Sequence, residues 1–290
     1  MPESLISPSL MVVALGMLAS LGWGAADFGG GLSSRSAPVL GVLGGSQVAS
    51  MLVGVPILLA SHEPAMGTTD LAVAIGGGIL GAVGLSLLYR GLSIGRMGVV
   101  APVAAVLTAA LPVIYGFIKD GIPSGFALAG IALAVASVVL VSRAPKADGD
   151  DRPSGLGYAL AAGTMFGLFT ISASFFGDGL IVTPVIVIRI TSILAIGGFL
   201  VLRRGAWRVP RRMWPALFAV GVIDMAATAA YLGAVSIGPL AIAAILASLY
   251  PVVTTVLATV VLRERVSAGH AVGILAAGAA VVLIAGAGAG

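Results

Sequence analysis

The sequence predicts an all-α, polytopic membrane protein with ten transmembrane helices arranged as two inverted five-helix repeats. Three observations support this prediction. Ten apolar stretches fill almost the whole 290-residue chain, and 59% of its residues are hydrophobic while only 9% are charged. Typical soluble domains are ~25% charged. The chain also matches itself at a constant offset of 143 residues, which divides the ten stretches equally.

Each apolar stretch is about as long as one bilayer crossing, because a hydrocarbon core of ~30 Å needs ~20 apolar residues in a helix. Only short connectors separate the stretches, so no soluble domain of useful size remains. In chain order, the predicted crossings are residues 9–28, 38–60, 71–92, 98–118, 123–142, 155–176, 181–202, 213–235, 240–262 and 268–287.

The basic residues lie almost entirely on one side of this predicted membrane protein. When each loop is numbered by the stretch that it follows, loops 1, 3, 5, 7 and 9 hold thirteen Lys and Arg residues. The opposite side, including both termini, holds only Lys119, and Arg189 lies inside a stretch. Because basic loops stay in the cytoplasm, we expect the odd-numbered loops inside a bacterial-type inner membrane and both termini outside it.

Composition also limits the partners and cofactors. The loop bias accounts for the net charge of +4, and no basic domain is present that would bind nucleic acid. The chain has no cysteine, and its two histidines, His62 and His270, are far apart in sequence. A metal site needs several clustered ligands, so the sequence predicts neither a metal nor another cofactor.

The internal repeat has a clear marker and a clear boundary. The triplet Ser-Ile-Gly at 93–95 returns at 236–238. The polar segment 143–154 carries two prolines and is expected to be a cytoplasmic linker between the first repeat, 1–142, and the second, 155–290. Five is odd, so the second repeat must enter the membrane from the opposite side, as in many transporters. A duplication in a structural membrane protein is the alternative.

Several motifs resemble the EamA-type transporters of the drug/metabolite transporter superfamily, over about residues 10–287. They are Trp23-Gly24, YRGLSIG at 89–95, YLGAVSIG at 231–238 and LRERVS at 262–267, before the last stretch. The first repeat lacks the Glu of this last motif. The resemblance implies a secondary transporter with a central cavity between the repeats, and it favours export. Many members of the family are thought to keep both termini inside the cell, whereas the charge bias predicts both outside.

A first polar face is predicted around Asp27. Trp23 and Asp27 are four residues apart, on one helix face, and the repeat places Phe166 and Thr170 at the equivalent positions. An aromatic ring beside a polar group, presented twice, predicts a solute-binding surface. The alternative is that Asp27 caps the end of its helix beside the glycines that follow.

A second polar face is predicted around Asp224, with Thr228 and Tyr231 at the next helical turns. An ionised side chain inside a bilayer is costly and usually faces a cavity or a partner. Asp224 is therefore a candidate proton carrier and solute ligand, or else a partner in an interhelical bond. Arg189 is interpreted as a structural charge that pairs with Asp224 or with a backbone carbonyl.

A third stripe contains Ser248 and Tyr250. Nearby, and in the repeat-related segment, prolines lie within predicted helices, where each frees a backbone carbonyl that must find another partner or line a cavity. Pro102, Pro112 and Pro251 are therefore candidate gates or hinges, or they only shape packing.

These residues predict a secondary active transporter that moves a small organic metabolite or drug-like solute by alternating access, with proton coupling or exchange left open. The expected partners are the solute and the lipid bilayer, and the protein is expected to be a monomer or homodimer. The alternatives are a passive facilitator or pore and a non-transporting membrane subunit. A membrane enzyme is disfavoured because no acid cluster or catalytic His lies within a stretch.

The aromatic residues expected to contact the solute are Trp23, Tyr89, Phe166, Tyr231 and Tyr250.

Overall fold

The structure, a computed structural model, describes residues 8–120, 154–238, 246–263 and 268–286, together with 125–126, 128–130, 132–133, 136–137 and 243. Every regular element that it describes is helical. A single 3-10 turn, Arg211–Met213, precedes α7. The α-helices are α1 (Pro8–Ser33), α2 (Val39–Ala60), α3 (Thr68–Ile94), α4 (Met97–Asp120), α5 (Leu156–Ala173), α6 (Val182–Arg203), α7 (Trp214–Ile237), α8 (Tyr250–Leu262) and α9 (Ala268–Gly286).

Six of the described helices, α1, α2, α3, α5, α6 and α7, are long and apolar enough to cross a membrane. The apolar parts of α4, α8 and α9 are shorter. Large apolar side chains such as Leu59, Val201 and Leu202 are about four-fifths exposed at helix ends, which suits a surface that faces lipid. The predicted class, an all-helical multi-pass membrane protein, is confirmed for the part of the chain that the structure describes.

Two predicted segments cannot be compared with the structure in full. The crossing at 123–142 and the linker at 143–154 lie almost entirely outside the described residues. The crossing at 240–262 is described as continuous helix only from Tyr250, because Ser248 and Leu249 form a turn.

Helices from the two halves of the chain pack directly against each other. α1 packs on α7 and α8, α3 packs on α5 and α6, α4 packs on α5, and α2 packs on α6 and α7. Small residues allow these close approaches. A side chain at Gly163 would overlap the backbone carbonyl of Ala104, and one at Gly221 would overlap the carbonyl of Ser46. The core is therefore shared between the two halves rather than divided into two separate units.

At one end of the bundle, acidic side chains join the two halves. Glu63, in the segment between α2 and α3, accepts hydrogen bonds from the backbone N–H groups of Ile181, Val182 and Thr183 at 3.1, 2.6 and 2.8 Å. These groups lie at the start of α6, where unsatisfied N–H groups and the helix dipole favour an anion. Partial burial acts to raise the pKa of the Glu63 carboxyl, but the hydrogen bonds outweigh it and hold that pKa below its ordinary value of 4.5.

Asp70, in the first turn of α3, makes a second link at the same end. Its Oδ2 accepts from the N–H of Gly67 at 3.2 Å, and its Oδ1 accepts from the N–H of Gly177 at 2.9 Å. Gly177 belongs to the connection between α5 and α6, so this carboxylate also joins the two halves.

The Glu63 contact predicts a pH-dependent contribution to stability. At neutral pH, Glu63→Ala should lower the free energy of unfolding by about 1 kcal/mol, the usual cost of losing a helix cap, and thus lower the melting temperature in detergent. Because the folded state lowers the pKa of Glu63, this contribution is full above pH 4.5 and is lost as pH falls further. The difference between wild type and variant should therefore narrow in acid.

The matched control is Asp178→Asn, which neutralises an exposed carboxylate in the same region and should melt close to wild type. Equal melting temperatures for wild type and Glu63→Ala at neutral pH would contradict the capping role.

Candidate functional site

A cavity lies between the helices, and every described helix from α1 to α8 contributes to its wall. Its volume is about 70 Å³. Most of the lining residues lie well inside their helices, so the cavity is near the middle of the bundle. The lining residues are Trp23, Asp27, Gln47, Gly81, Leu85, Thr108, Phe166, Phe169, Thr170, Ile188, Arg189, Ser192, Asp224, Thr228 and Tyr250.

One side of the cavity is formed by a buried ion pair. Arg189 Nη1 lies 2.5 Å from Asp224 Oδ2, and both residues are less than a tenth exposed. Charge-assisted hydrogen bonds of this kind are strong, but taking both charges out of water carries a large desolvation penalty. The pair therefore needs further hydrogen bonds around it.

The hydroxyl of Thr228 supplies one such bond, to Arg189, and two bonds to neighbouring groups. It accepts from Arg189 Nη2 at 3.1 Å and from Trp23 Nε1 at 3.3 Å, and it donates to the backbone carbonyl of Asp224 at 2.9 Å. A hydroxyl has one donor and two acceptor sites, so all three are used. This single side chain connects α1, α6 and α7, and it holds the indole of Trp23 beside the ion pair.

Asp27 is the other charged side chain of the cavity. It is 4% exposed, and no described residue forms a hydrogen bond or ion pair with its carboxylate. α1 continues for more than a turn beyond it, to Ser33. Asp27 therefore does not cap a helix end, and it lines the cavity.

Gln47 brings a polar group that the sequence analysis did not select. It is 2% exposed, and neither Nε2 nor Oε1 has a hydrogen-bond partner among the described residues. Buried amides are normally bonded, so this side chain has unused capacity for a donor and an acceptor. The sequence could have indicated Gln47, because it is a lone amide within an apolar membrane helix.

The remaining wall is largely aromatic and aliphatic. Phe169, one turn from Phe166, and the aliphatic pair Leu85 and Ile188 were not predicted. Two hydroxyls are occupied by helix carbonyls: Thr108 donates to Ala104 at 3.0 Å, and Ser192 donates across to Gly78 at 2.8 Å. Since α4 continues through Pro112, the carbonyl of Thr108 cannot receive the usual helical N–H from that proline.

Most of the predicted solute ligands meet at this cavity, and three do not. Trp23, Asp27, Phe166, Thr170, Asp224, Thr228 and Tyr250 line it. Arg189, interpreted from the sequence as structural, also lines it while it pairs with Asp224.

The three predicted ligands outside the lining are Tyr89, Tyr231 and Ser248. Tyr89 is buried against Gly30, with its hydroxyl 3.5 Å from the carbonyl of Ala26. Tyr231 packs on the ring of Trp23, with centroids 5.3 Å apart, so the ring takes part in supporting the indole. Ser248 lies buried in the turn before α8.

The prolines have different local roles. Pro102 and Pro112 lie inside α4, which continues through both. Pro251 lies in the first turn of α8 rather than inside a helix, a position where the missing N–H costs nothing. Next to it, the hydroxyl of Thr254 donates to the carbonyl of Gly24 at 3.0 Å, which fixes α8 against α1 beside the cavity.

Comparison with known proteins gives one family and one fold. Residues 153–286 match the EamA-like transporter family. No curated protein matches the chain. A solved crystal structure aligns with a TM-score of 0.65 and 19% identity, covering 93% of this chain and 96% of the other; at that identity the likeness shows the fold alone. The family that residues 153–286 match is part of the drug/metabolite transporter superfamily.

Proposed function

We propose that this protein is a secondary transporter that carries a small organic solute across a bacterial-type inner membrane by alternating access, with export as the favoured direction. The observation that carries the proposal is the cavity at the middle of the bundle, lined by helices from both halves and containing buried charges. Solute sites of secondary transporters lie at the interface of their repeats, near the bilayer midplane.

Reciprocal contacts support two equivalent five-helix repeats. A side chain at Gly24 would overlap the carbonyl of Tyr250, and one at Gly167 would approach the carbonyl of Leu107. Gly167 lies 143 residues after Gly24, and Leu107 lies 143 residues before Tyr250. Each contact is therefore the repeat-related counterpart of the other. The packing of α1 on α7 and of α3 on α5 exchanges in the same way, as a two-fold relation between the halves requires.

Helix directions support an inverted relation. α1 and α3 cross in the same direction, because α2 returns between them. α3 and α5 are antiparallel, since Gly84 meets Phe166 whereas Gly91, further along α3, meets the earlier Tyr158. α5 therefore crosses opposite to α1, its counterpart in the repeat. We propose the complete frame as repeats 1–142 and 155–290, with a fifth crossing at 123–142, a cytoplasmic linker at 143–154 and both termini outside.

In the proposed cycle, the two halves rock around the cavity and expose it to one side at a time. Candidate hinges are Pro102 and Pro112 in α4 and the turn before Pro251. Proton coupling through Asp224 would depend on competition between a proton and Arg189 for this carboxylate, because a bound proton removes the charge that pairs with Arg189. Asp224 then either binds a proton or pairs with Arg189, so in the proposed cycle its protonation is linked to the arrangement of α6 and α7.

The proposed orientation predicts which loops react with reagents outside the cell. The chain has no cysteine, so single-cysteine variants can be labelled cleanly. Asp178→Cys, between α5 and α6, should react with a membrane-impermeant maleimide in intact cells. Arg208→Cys, between α6 and α7, should react only after the cells are permeabilised. The cysteine-free protein is the control, and the reverse labelling pattern would mean that the chain has the opposite orientation.

The buried ion pair predicts a non-additive effect on stability. Arg189→Gln and Asp224→Asn each leave one buried charge without its partner, which should cost about 3–5 kcal/mol. The double variant removes both charges and should unfold at a higher temperature than either single variant, while transport stays impaired. Thermal unfolding in detergent measures this. If Asp224→Asn retained both transport and its dependence on pH, the proton-carrying role would be excluded.

Counterflow tests transport itself. Proteoliposomes containing the purified protein, preloaded with a panel of amines, amino acids, sugars and nucleosides, should accumulate an external labelled tracer of the transported compound by exchange. A carrier that alternates between two sides exchanges solute in this way, whereas a passive pore only equilibrates it. Protein-free liposomes are the control. Equilibration without transient accumulation would favour the passive facilitator or pore.

A further inference from the structure

We propose that the cavity recognises a small organic amine, whose ammonium group pairs with Asp27 and whose apolar body lies against the aromatic wall. The inference rests on the proposed function and narrows its substrate to one chemical class. It depends on the charge balance of the cavity and on Asp27 and Gln47, two buried polar side chains for which the described residues provide no hydrogen bond.

The charge balance favours a cation. Three charged side chains line the described cavity: Asp27, Arg189 and Asp224. Arg189 and Asp224 neutralise each other at 2.5 Å, so Asp27, when it is ionised, leaves a net charge of −1. A buried carboxylate without a partner is unstable unless a proton or a cation compensates it. A solute that brings one positive charge completes the pairing.

Arg189 does not provide that charge to Asp27. Its Nη1 is used by Asp224 and its Nη2 by Thr228, while its Nε is buried without a hydrogen-bond partner. This commitment also disfavours a solute carboxylate, because the only cation in the described lining is already bonded to an anion. We therefore expect an amine to bind more tightly than the amino acid with the same side chain.

Gln47 supplies a second polar contact for the ammonium group. The Asp27 carboxylate accepts one N–H, and the Oε1 of Gln47, which has no partner, can accept another. An ammonium group has several donors, and a single carboxylate does not use them all. Gln47 lines the same cavity as Asp27 and is almost fully buried, so a solute in the cavity can use this amide.

The rest of the wall defines the body of the solute. Trp23, Phe166 and Phe169 offer aromatic faces that attract both apolar groups and cations, and Leu85 and Ile188 are aliphatic. The small volume admits one compact molecule. An aromatic or branched primary amine suits this combination better than a sugar or nucleoside, whose hydroxyl groups would need many more polar partners.

A matched set of probes tests the charge requirement on the wild-type protein. We would measure binding of radiolabelled phenethylamine to purified protein, and competition by unlabelled phenethylamine, N-acetylphenethylamine and phenylalanine. The acetylated compound keeps the ring but loses the positive charge, and it should compete at least about 30-fold more weakly, as expected when one partner of a buried charge pair is removed. Phenylalanine should also compete more weakly than the amine. Equal competition by the amine and its acetylated form would overturn the proposal.

Variants then test the two side chains. Asp27→Asn should lose at least about 30-fold in affinity for phenethylamine, and Gln47→Leu should lose about 5- to 10-fold, as for one hydrogen bond. Asp178→Asn, which removes an exposed carboxylate, is the matched control and should bind as wild type. Melting temperatures check folding. If Asp27→Asn does not fold, the probe series on wild type still decides the proposal. Wild-type affinity in a folded Asp27→Asn protein would overturn it.

Failure of this inference can be told from failure of the proposed function. Counterflow of a non-amine solute, with no binding of phenethylamine, would refute the amine and leave the transporter intact. Charge-dependent amine binding, with no counterflow of that amine or of any other tested solute, would support the site and refute transport.

Discussion

The interaction on which the rest of the site depends is the buried ion pair between Arg189 and Asp224, completed by Thr228. Inside a membrane protein such a pair is tolerated only when both charges are also hydrogen-bonded. The hydroxyl of Thr228 bonds the guanidinium of Arg189, the indole N–H of Trp23 and the backbone carbonyl of Asp224. The pair joins α6 and α7 of the second half, and the bond from Trp23 to Thr228 connects α1 of the first half to it, so this wall of the cavity combines both halves.

Close backbone contacts between the two halves are related by the 143-residue offset, whereas the charged residues of the site are not. The close contacts of Gly24 and Gly167 are related by the 143-residue offset, as the proposed repeats require. The charged residues do not exchange, because the repeat-related positions of Arg189 and Asp224 are Ser46 and Gly81. One repeat therefore supplies a self-neutralised pair, while the other supplies Asp27 alone. The unbalanced charge that defines the proposed substrate is a direct result of this asymmetry.

The sequence predicts the helices and the main polar faces, because both depend on local patterns. Apolar length gives the crossings, and the four-residue spacing of Trp23 and Asp27 places both on the cavity. Contacts between distant helices are not local, so the sequence does not show that the ring of Tyr231 packs behind Trp23 or that Tyr89 fills the space beside Gly30. Phe169 was missed for the same reason, whereas Gln47 could have been selected as a lone amide within an apolar helix. The helix start at Tyr250, within the predicted crossing at 240–262, agrees with Pro251 in the first turn of α8.

The described contacts at the two ends of the bundle are of different kinds, and this difference affects how the proposed alternating cycle would proceed. At one end, carboxylates of Glu63 and Asp70 bond backbone N–H groups of the other half. Their repeat-related positions are Ala206 and Met213, so these two positions carry no acid, and among the described residues at the other end Gly41 packs on the backbone of Trp207. Polar bonds at an exposed end can be exchanged for water at small net cost, whereas separating a close-packed contact loses its dispersion contacts outright. Among the described residues, the end that contains Glu63, which the proposed orientation places outside the cell, is therefore held by bonds that water can replace, whereas the other end is held by close packing.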